Sequence, residues 1–225
     1  MRIGAKQKVV MIGDSITDAG REKGTGTAPS EGLFDPLGRG YVTMVEALLG
    51  VTYPDRGIRV VNVGTSGHTV RDLDARWERD VIDLKPDWVS CMIGTNDVWR
   101  QFDLPRMTES HVLPDVYEQT YRRLLERTLP LVKGIVLLAP FYVEPNRADP
   151  MRARMDEYGR IVRRLAEQYG AVFVDTQAAF DRVLGHVHPN ALAWDRVHPN
   201  QTGHMVIANA LLNALGYEWP RDRAV

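Results

Sequence analysis

Apolar runs alternate with amphipathic stretches along the whole chain. Residues 8–12, 58–63, 88–93, 134–139 and 171–174 are short runs rich in Val, Ile, Leu and Met, with the pattern of buried strands. Residues 41–49, 70–81, 114 to about 128, 151–169 and 203–215 read as helices. Pro114 suits the first turn of its helix. In the fourth of these, Met151, Met155, Tyr158, Val162, Leu165 and Tyr169 recur every three or four residues and form one apolar face. Arg152, Arg154, Arg160 and Arg163 fall elsewhere on that helix, and the spacing predicts that they form a solvated face.

Continuous apolar strands separated by helices imply a parallel sheet covered on both faces. In such sheets, ligands bind beyond the C-terminal ends of the strands. Three polar clusters stand directly after predicted strands: Gly13-Asp14-Ser15, Gly64-Thr65-Ser66-Gly67 and Gly94-Thr95-Asn96-Asp97. The expected fold therefore gathers three clusters of chemically capable residues on one edge. Residues 21–40 are rich in Gly, contain Pro29 and Pro36 and lack periodicity, which predicts a long loop, a candidate lid, near the first of those clusters. Gly24-Thr25-Gly26-Thr27 lacks the Gly-Lys-Ser/Thr ending of a phosphate loop, so nucleotide binding is set aside.

Length and charge narrow the class. A chain of 225 residues suits one α/β domain spanning 1–225, and no linker or internal repeat divides it. Its 28 basic and 29 acidic residues give a formal net charge of −1, which argues against a nucleic-acid partner. The single cysteine, Cys91, allows no intramolecular disulfide and reads as a packed, inert thiol. The first apolar run is too short for a signal-peptide core, and a cytoplasmic protein without membrane association is expected.

Serine acts as a nucleophile only beside a base, with donors to hold the developing oxyanion. Ser15 follows a buried strand through a tight turn, so it can be held rigidly and still be exposed; as a plain turn residue it would instead cap a helix. His198 has Asp195 three residues before it, close enough for the carboxylate to fix the imidazole tautomer and leave the other ring nitrogen facing a serine. His188-Pro189-Asn190 mimics His198-Pro199-Asn200, but Gly185 stands where the aspartate would be. His186 and His188 read as loop histidines and His204 as a structural or pocket-edge group. A zinc site among the histidines lacks any recognised ligand spacing. Asp175 is a second candidate partner for His198, although a helix-capping role suits it better. Asp14, Asp18 and Asp97 are expected to stabilise turns. Gly67, the Asn96 amide and the Ser15 backbone N–H supply three candidate oxyanion donors. No Gly-x-Ser-x-Gly elbow occurs, which disfavours the α/β-hydrolase arrangement.

Gly13-Asp14-Ser15-Ile16-Thr17-Asp18, Gly67, Gly94-Thr95-Asn96-Asp97 and Asp195-Arg196-Val197-His198-Pro199 resemble, in order, the four sequence blocks of the SGNH (GDSL-type) hydrolases. The resemblance implies a three-layer α/β/α sandwich with a mainly parallel, flavodoxin-like five-stranded sheet. It also implies a Ser15–His198–Asp195 triad and an oxyanion hole from Ser15, Gly67 and Asn96. Longer strings, among them Thr69-Val70-Arg71-Asp72-Leu73, Asn96-Asp97-Val98-Trp99-Arg100 and Ala193-Trp194-Asp195, are similar to the small bacterial intracellular acetylxylan esterases of that superfamily. That similarity implies deacetylation of small carbohydrates, with xylo-oligosaccharides as substrates, without a cofactor or metal and often in a homo-oligomer. Trp99, Tyr142 and Trp194 are the candidate sugar contacts, with Phe141 beside them. Rival readings are an esterase, thioesterase or lysophospholipase acting on longer acyl groups, and a non-catalytic carbohydrate-binding protein. The C-terminal Tyr217-Glu218-Trp219-Pro220 is expected to pack on its own domain.

Overall fold

The computed structural model describes residues 1–23 and 35–219. Strands β1 (Lys8–Gly13), β2 (Arg59–Asn62), β3 (Trp88–Met92), β4 (Gly134–Leu138) and β5 (Val172–Val174) form one sheet in the order β2-β1-β3-β4-β5. Every adjacent pair is parallel. The helices are α1 (Ser15–Asp18), α2 (Tyr41–Thr52), α3 (Val70–Trp77), α4 (Thr95–Asp103), α5 (Pro114–Thr128), α6 (Pro150–Tyr169), α7 (Thr176–Leu184) and α8 (Gln201–Ala214).

The strand alternation divides the core between two faces. Val10, Ile12, Val89, Cys91, Ile135 and Leu137 pack with Leu73 and Trp77 of α3, Tyr121 and Leu124 of α5, and Met155, Tyr158 and Val162 of α6. Val9, Met11, Met92, Val136 and Leu138 point the other way, onto Val42 and Val45 of α2, Phe180 of α7 and Ile207 and Leu211 of α8. Successive strand side chains face opposite sides, so an uninterrupted apolar run is what two helical layers require. The three-layer architecture and the parallel sheet agree with the sequence-based expectation.

Two helices lie where no periodicity announced them. α4 begins inside the polar Gly94–Asp97 cluster, and α7 spans only nine residues. α3 gives way to a π-helical turn, Glu78–Ile82, at the end of the predicted 70–81 helix. The arginines of α6 depart from the expected solvated face at one position. Arg152 is buried, with Nε donating to Asp156 Oδ1 (2.9 Å) and Nη2 to Asp181 Oδ2 (2.7 Å). Its long stem follows the apolar face, and two carboxylates neutralise its head. Phe141 is also a core residue, stacked on Phe180 with ring centroids 4.3 Å apart, and is not available to a sugar. Tyr217 packs edge-on to Tyr53, and Trp219 Nε1 donates to Asn213 Oδ1 (2.6 Å). The tail thus folds back on its own chain as far as Trp219. Of the 21–40 loop, Arg21 is buried and its Nε donates to Gly64 O (2.8 Å). The Gly24–Thr27 stretch and Pro220 lie outside the described residues.

Among the described residues, no helix is long and apolar enough to cross a membrane.

Candidate active site

The C-terminal edge of the sheet carries Ser15, Gly67 and Asn96, and Ser15 meets the loop before α8. Asp14 caps α1, its Oδ1 accepting from Ile16 N (3.0 Å), so Ser15 is the first residue of the helix and not its cap. Ser15 Oγ lies 2.9 Å from His198 Nε2, and His198 Nδ1 lies 2.6 Å from Asp195 Oδ2. The other Asp195 oxygen accepts from Val197 N (3.0 Å) and His198 N (2.7 Å). Burial raises the Asp195 pKa, but hydrogen bonds from the His198 side chain and from these two backbone groups outweigh it, and the net shift is downward. The carboxylate is therefore ionised and can only accept, so His198 Nδ1 carries the hydrogen. Nε2 is then free to accept the Ser15 hydroxyl proton.

The loops beyond β2 and β3 shape the other side. Gly67 has φ +81°, a left-handed conformation that side chains resist. A Cβ at Gly64 would stand 2.3 Å from Asp18 N, so only glycine lets this loop lie against α1. Asp18 ties the same loop down. Its Oδ2 accepts from Ser66 N (3.0 Å) and Ser66 Oγ (2.9 Å) and pairs with Lys23 Nζ (2.7 Å). Asn96 sits in the first turn of α4 and is 3 % exposed. Its Nδ2 donates to His68 O (3.0 Å), and its Oδ1 accepts from Arg100 Nη2 (3.3 Å), which fixes the amide orientation.

Two more carboxyl groups lie beneath the site. Burial lifts Asp14 to about 6, against the pull of the Ile16 N–H. Burial likewise lifts Asp97 to about 7; its Oδ1 accepts from Val70 N at the start of α3 (3.0 Å). Asp14, Asp18 and Asp97 thus brace backbone turns.

The remaining candidates separate cleanly. Trp99 meets His198 edge-on, with centroids 5.8 Å apart. Tyr142 is half-buried, its backbone N–H and C=O held by the Gln177 side chain, and the next residue, Val143, donates its N–H to Arg196 O (2.9 Å). Trp194 is 84 % exposed. Asp175 caps α7 through Ala178 N (2.9 Å) and pairs with Arg163, so it is not the partner of His198. His188 Nδ1 accepts from Asn190 N (3.3 Å) within its own turn. His204 Nδ1 accepts from Tyr41 N (3.2 Å). Burial, then the nearby His198, lowers its pKa to about 4. Burial pushes the Cys91 thiol up to about 12, which makes it a poor nucleophile. The sequence reading missed Arg76 and His68, whose hydrogen bonds underlie the Gly67 loop. The available signal was a charged residue on the apolar stripe formed by Val70, Leu73 and Trp77.

A serine hydroxyl, an imidazole and a carboxylate in line at the edge of a parallel sheet form the arrangement of a serine hydrolase. The sequence pattern of the GDSL-like lipase/acylhydrolase family matches residues 11–206. The chain belongs to that family and is a carboxylic ester hydrolase. It is 59 % identical to an acetylxylan esterase of Geobacillus stearothermophilus over 223 residues, covering 99 % of this chain and 100 % of the relative. The crystal structure of Axe2, an acetylxylan esterase from Geobacillus stearothermophilus, superposes with a TM-score of 0.93 at 58 % identity, covering 99 % of this chain and 100 % of the other. LAE5, an alpha/beta hydrolase enzyme from the metagenome of Lake Arreo, superposes with a TM-score of 0.94 at 58 % identity, covering 96 % and 98 %. A catalytic mutant of Axe2, S15A, has also been solved, with a TM-score of 0.93, 58 % identity and coverage of 99 % and 100 %.

Proposed function

We propose that the protein removes acetyl groups from small acetylated carbohydrates, with xylo-oligosaccharides as the substrate class, through an acetyl-Ser15 intermediate. The observation that carries this reading is the continuous line Ser15 Oγ–His198 Nε2 (2.9 Å) and His198 Nδ1–Asp195 Oδ2 (2.6 Å) in a chain so similar to an acetylxylan esterase. The relative's catalytic mutant replaces a serine that also carries the number 15.

His198 Nε2 takes the Ser15 proton while Oγ bonds to the acetyl carbonyl carbon. The carbonyl oxygen becomes an oxyanion held by the Ser15 and Gly67 N–H groups and the Asn96 amide. The bond to the sugar oxygen then breaks, and that oxygen leaves with the proton from His198. Water, giving its proton to the same imidazole, attacks the acetyl carbon. Oγ departs with the proton, leaving free serine and acetic acid, which ionises to acetate. Asp195 holds the tautomer throughout. No step calls for a cofactor or a metal.

Trp99 beside His198, Tyr142 and Trp194 supply flat faces for pyranose rings. The whole chain, 1–225, acts as one hydrolase domain. The homo-oligomer implied by the sequence resemblance belongs to the same reading. A free, buried Cys91 accords with a cytoplasmic site of action.

The test is acetate release from acetylated xylo-oligosaccharides followed by NMR, together with a series of nitrophenyl esters of increasing acyl length. The reading expects release of acetate from the sugar and a preference for acetyl. A preference for long acyl chains with inert acetylated sugars would assign the enzyme to lipid or thioester substrates instead.

A further inference from the structure

The oxyanion donors come from three separate strand ends, and one buried guanidinium reaches all three neighbourhoods. Arg76 of α3 is 6 % exposed. Its Nη2 donates to Gly13 O (3.1 Å), two residues before Ser15. Its Nη1 donates to Val63 O (2.6 Å), one residue past β2. Its Nε donates to Nδ1 of His68 (3.0 Å), the residue after Gly67. The carbonyl of that same His68 accepts the Asn96 Nδ2 hydrogen (3.0 Å). Asp80, fully buried in the π-helical turn, neutralises the cation through Nη1 (2.8 Å).

We propose that Arg76 is a positioning residue for the oxyanion hole, acting through Gly13 O and through His68 to fix the Ser15 N–H, the Gly67 N–H and the Asn96 amide in one constellation. The inference rests on the oxyanion role given above to those three donors. The reason for an arginine is geometric. Planar donors in a fixed fork reach four acceptors in different directions, which a lysine point charge does not. The reason for its burial is energetic: Val63 O lies just beyond β2 and takes its hydrogen bond from Nη1 where water is excluded, and Gly13 O, which already accepts Thr65 N (3.0 Å), uses its second lone pair on Nη2. His68 follows from the same bond. Because Arg76 Nε–H points at Nδ1, that nitrogen carries no hydrogen, and the ring is a neutral acceptor. Burial and the nearby Arg76 charge hold His68 below the ordinary histidine range in agreement with this. A donor displaced by a fraction of an ångström loses most of its preference for the transition state, while substrate binding hardly changes.

The test uses Arg76→Lys, His68→Leu, His68→Asn and Asn96→Ala, assayed for kcat and KM on an acetyl ester. Asn96→Ala alone is expected to lower kcat by ~10²-fold or more. Arg76→Lys is expected to lower kcat by at least ~10-fold with KM within about 3-fold, the signature of an interaction made in the transition state. In the Arg76→Lys background Asn96→Ala is then expected to cost several-fold less than in the wild type, since the donor it removes is already misplaced. His68→Leu removes the acceptor and lowers kcat in the same way; His68→Asn, whose Oδ1 stands in for Nδ1, recovers most of it. A merely structural arginine would lower the melting temperature while leaving the Asn96→Ala penalty whole, and that result overturns the proposal. If Arg76→Lys does not fold, the His68 pair decides, and equal kcat for His68→Leu and the wild type overturns it. Full activity in Asn96→Ala would remove the oxyanion reading itself, a separate failure from that of Arg76.

Discussion

Ser15 Oγ and His198 Nε2 stand 2.9 Å apart although 183 residues separate them in the chain. Ser15 is set by the end of β1 and the Asp14 cap; His198 is set by the loop entering α8. That loop is itself anchored. Arg196, with φ +63°, pairs with the nearly buried Glu144, and its carbonyl accepts Val143 N (2.9 Å). The Ser15–His198 contact is thus a product of tertiary packing, while the His198–Asp195 contact is local.

That distinction separates the two His-Pro sequences. His198→Ala is expected to lose at least ~10³-fold in turnover, as for a triad member, and His188→Ala to keep most of it. His188 spends Nδ1 on its own turn and has no carboxylate partner among its hydrogen bonds. Steady-state kinetics on both variants, each checked for a normal melting curve, decides. The reverse ranking would transfer the base to His188.

Asn96 donates one amide hydrogen to His68 O, and the proposed reading gives the second to the oxyanion. Asn96→Ala is expected to lower kcat by ~10²–10³-fold with KM little changed, since the donor is worth most when the oxyanion forms. It should still be labelled at Ser15 by an organophosphate, more slowly. A loop-structuring asparagine would instead lower the melting temperature and shift kcat and KM together.

Asp97 gives a stability signature. Burial lifts its folded pKa to about 7, above the ordinary carboxylate value of 3.8, so the folded state holds the proton longer than the unfolded chain. Stability from this group is present below about pH 4 and is lost as pH rises toward 7. Asp97→Asn keeps the acceptor for Val70 N and cannot ionise. The melting temperature of Asp97→Asn minus that of the wild type should therefore grow between pH 4 and 7 and then level off. A difference independent of pH would show that Asp97 is not held protonated.

His204 acts with the opposite sign on the same axis. Its folded pKa is about 4 against an ordinary 6.5, because burial and then the nearby His198 disfavour the charge, and Nδ1 accepts the Tyr41 N–H. The unfolded chain takes up the proton first, so stability is lost as pH falls from about 6.5 toward 4. His204→Gln retains an acceptor without a titratable group. Thermal unfolding across that window should show a flatter acid limb in the variant; parallel curves would contradict the assignment.

The sheet was legible because each strand must be apolar on both faces, and that leaves an uninterrupted run such as Val9-Val10-Met11-Ile12. The candidate site was legible where function places polar residues directly after such runs, as at Ser15 and Asn96, and where two partners share one turn, as at Asp195 and His198. What escaped has its own physics. α4 is only nine residues long and opens with the polar Thr95, Asn96 and Asp97, so its apolar period is too short to read. Arg152 and Arg76 are charged residues whose partners, Asp181 at 29 positions and Gly13 at 63, lie far away in sequence. A pattern rule assigns arginine to the surface; Asp156 and Asp80 stand only four residues on, but the remaining partners that let these arginines be buried come from packing alone.

The central claim is that Ser15 carries the acetyl group between sugar and water. Its most direct test is acetate release from acetylated xylo-oligosaccharides by wild-type protein and Ser15→Ala, followed by NMR at matched concentration. The turn is capped by Asp14, so the variant should fold and melt as the wild type does. The account predicts rapid acetate release by the wild type and a rate at least ~10³-fold lower for Ser15→Ala. Comparable rates from a cleanly purified variant would contradict it.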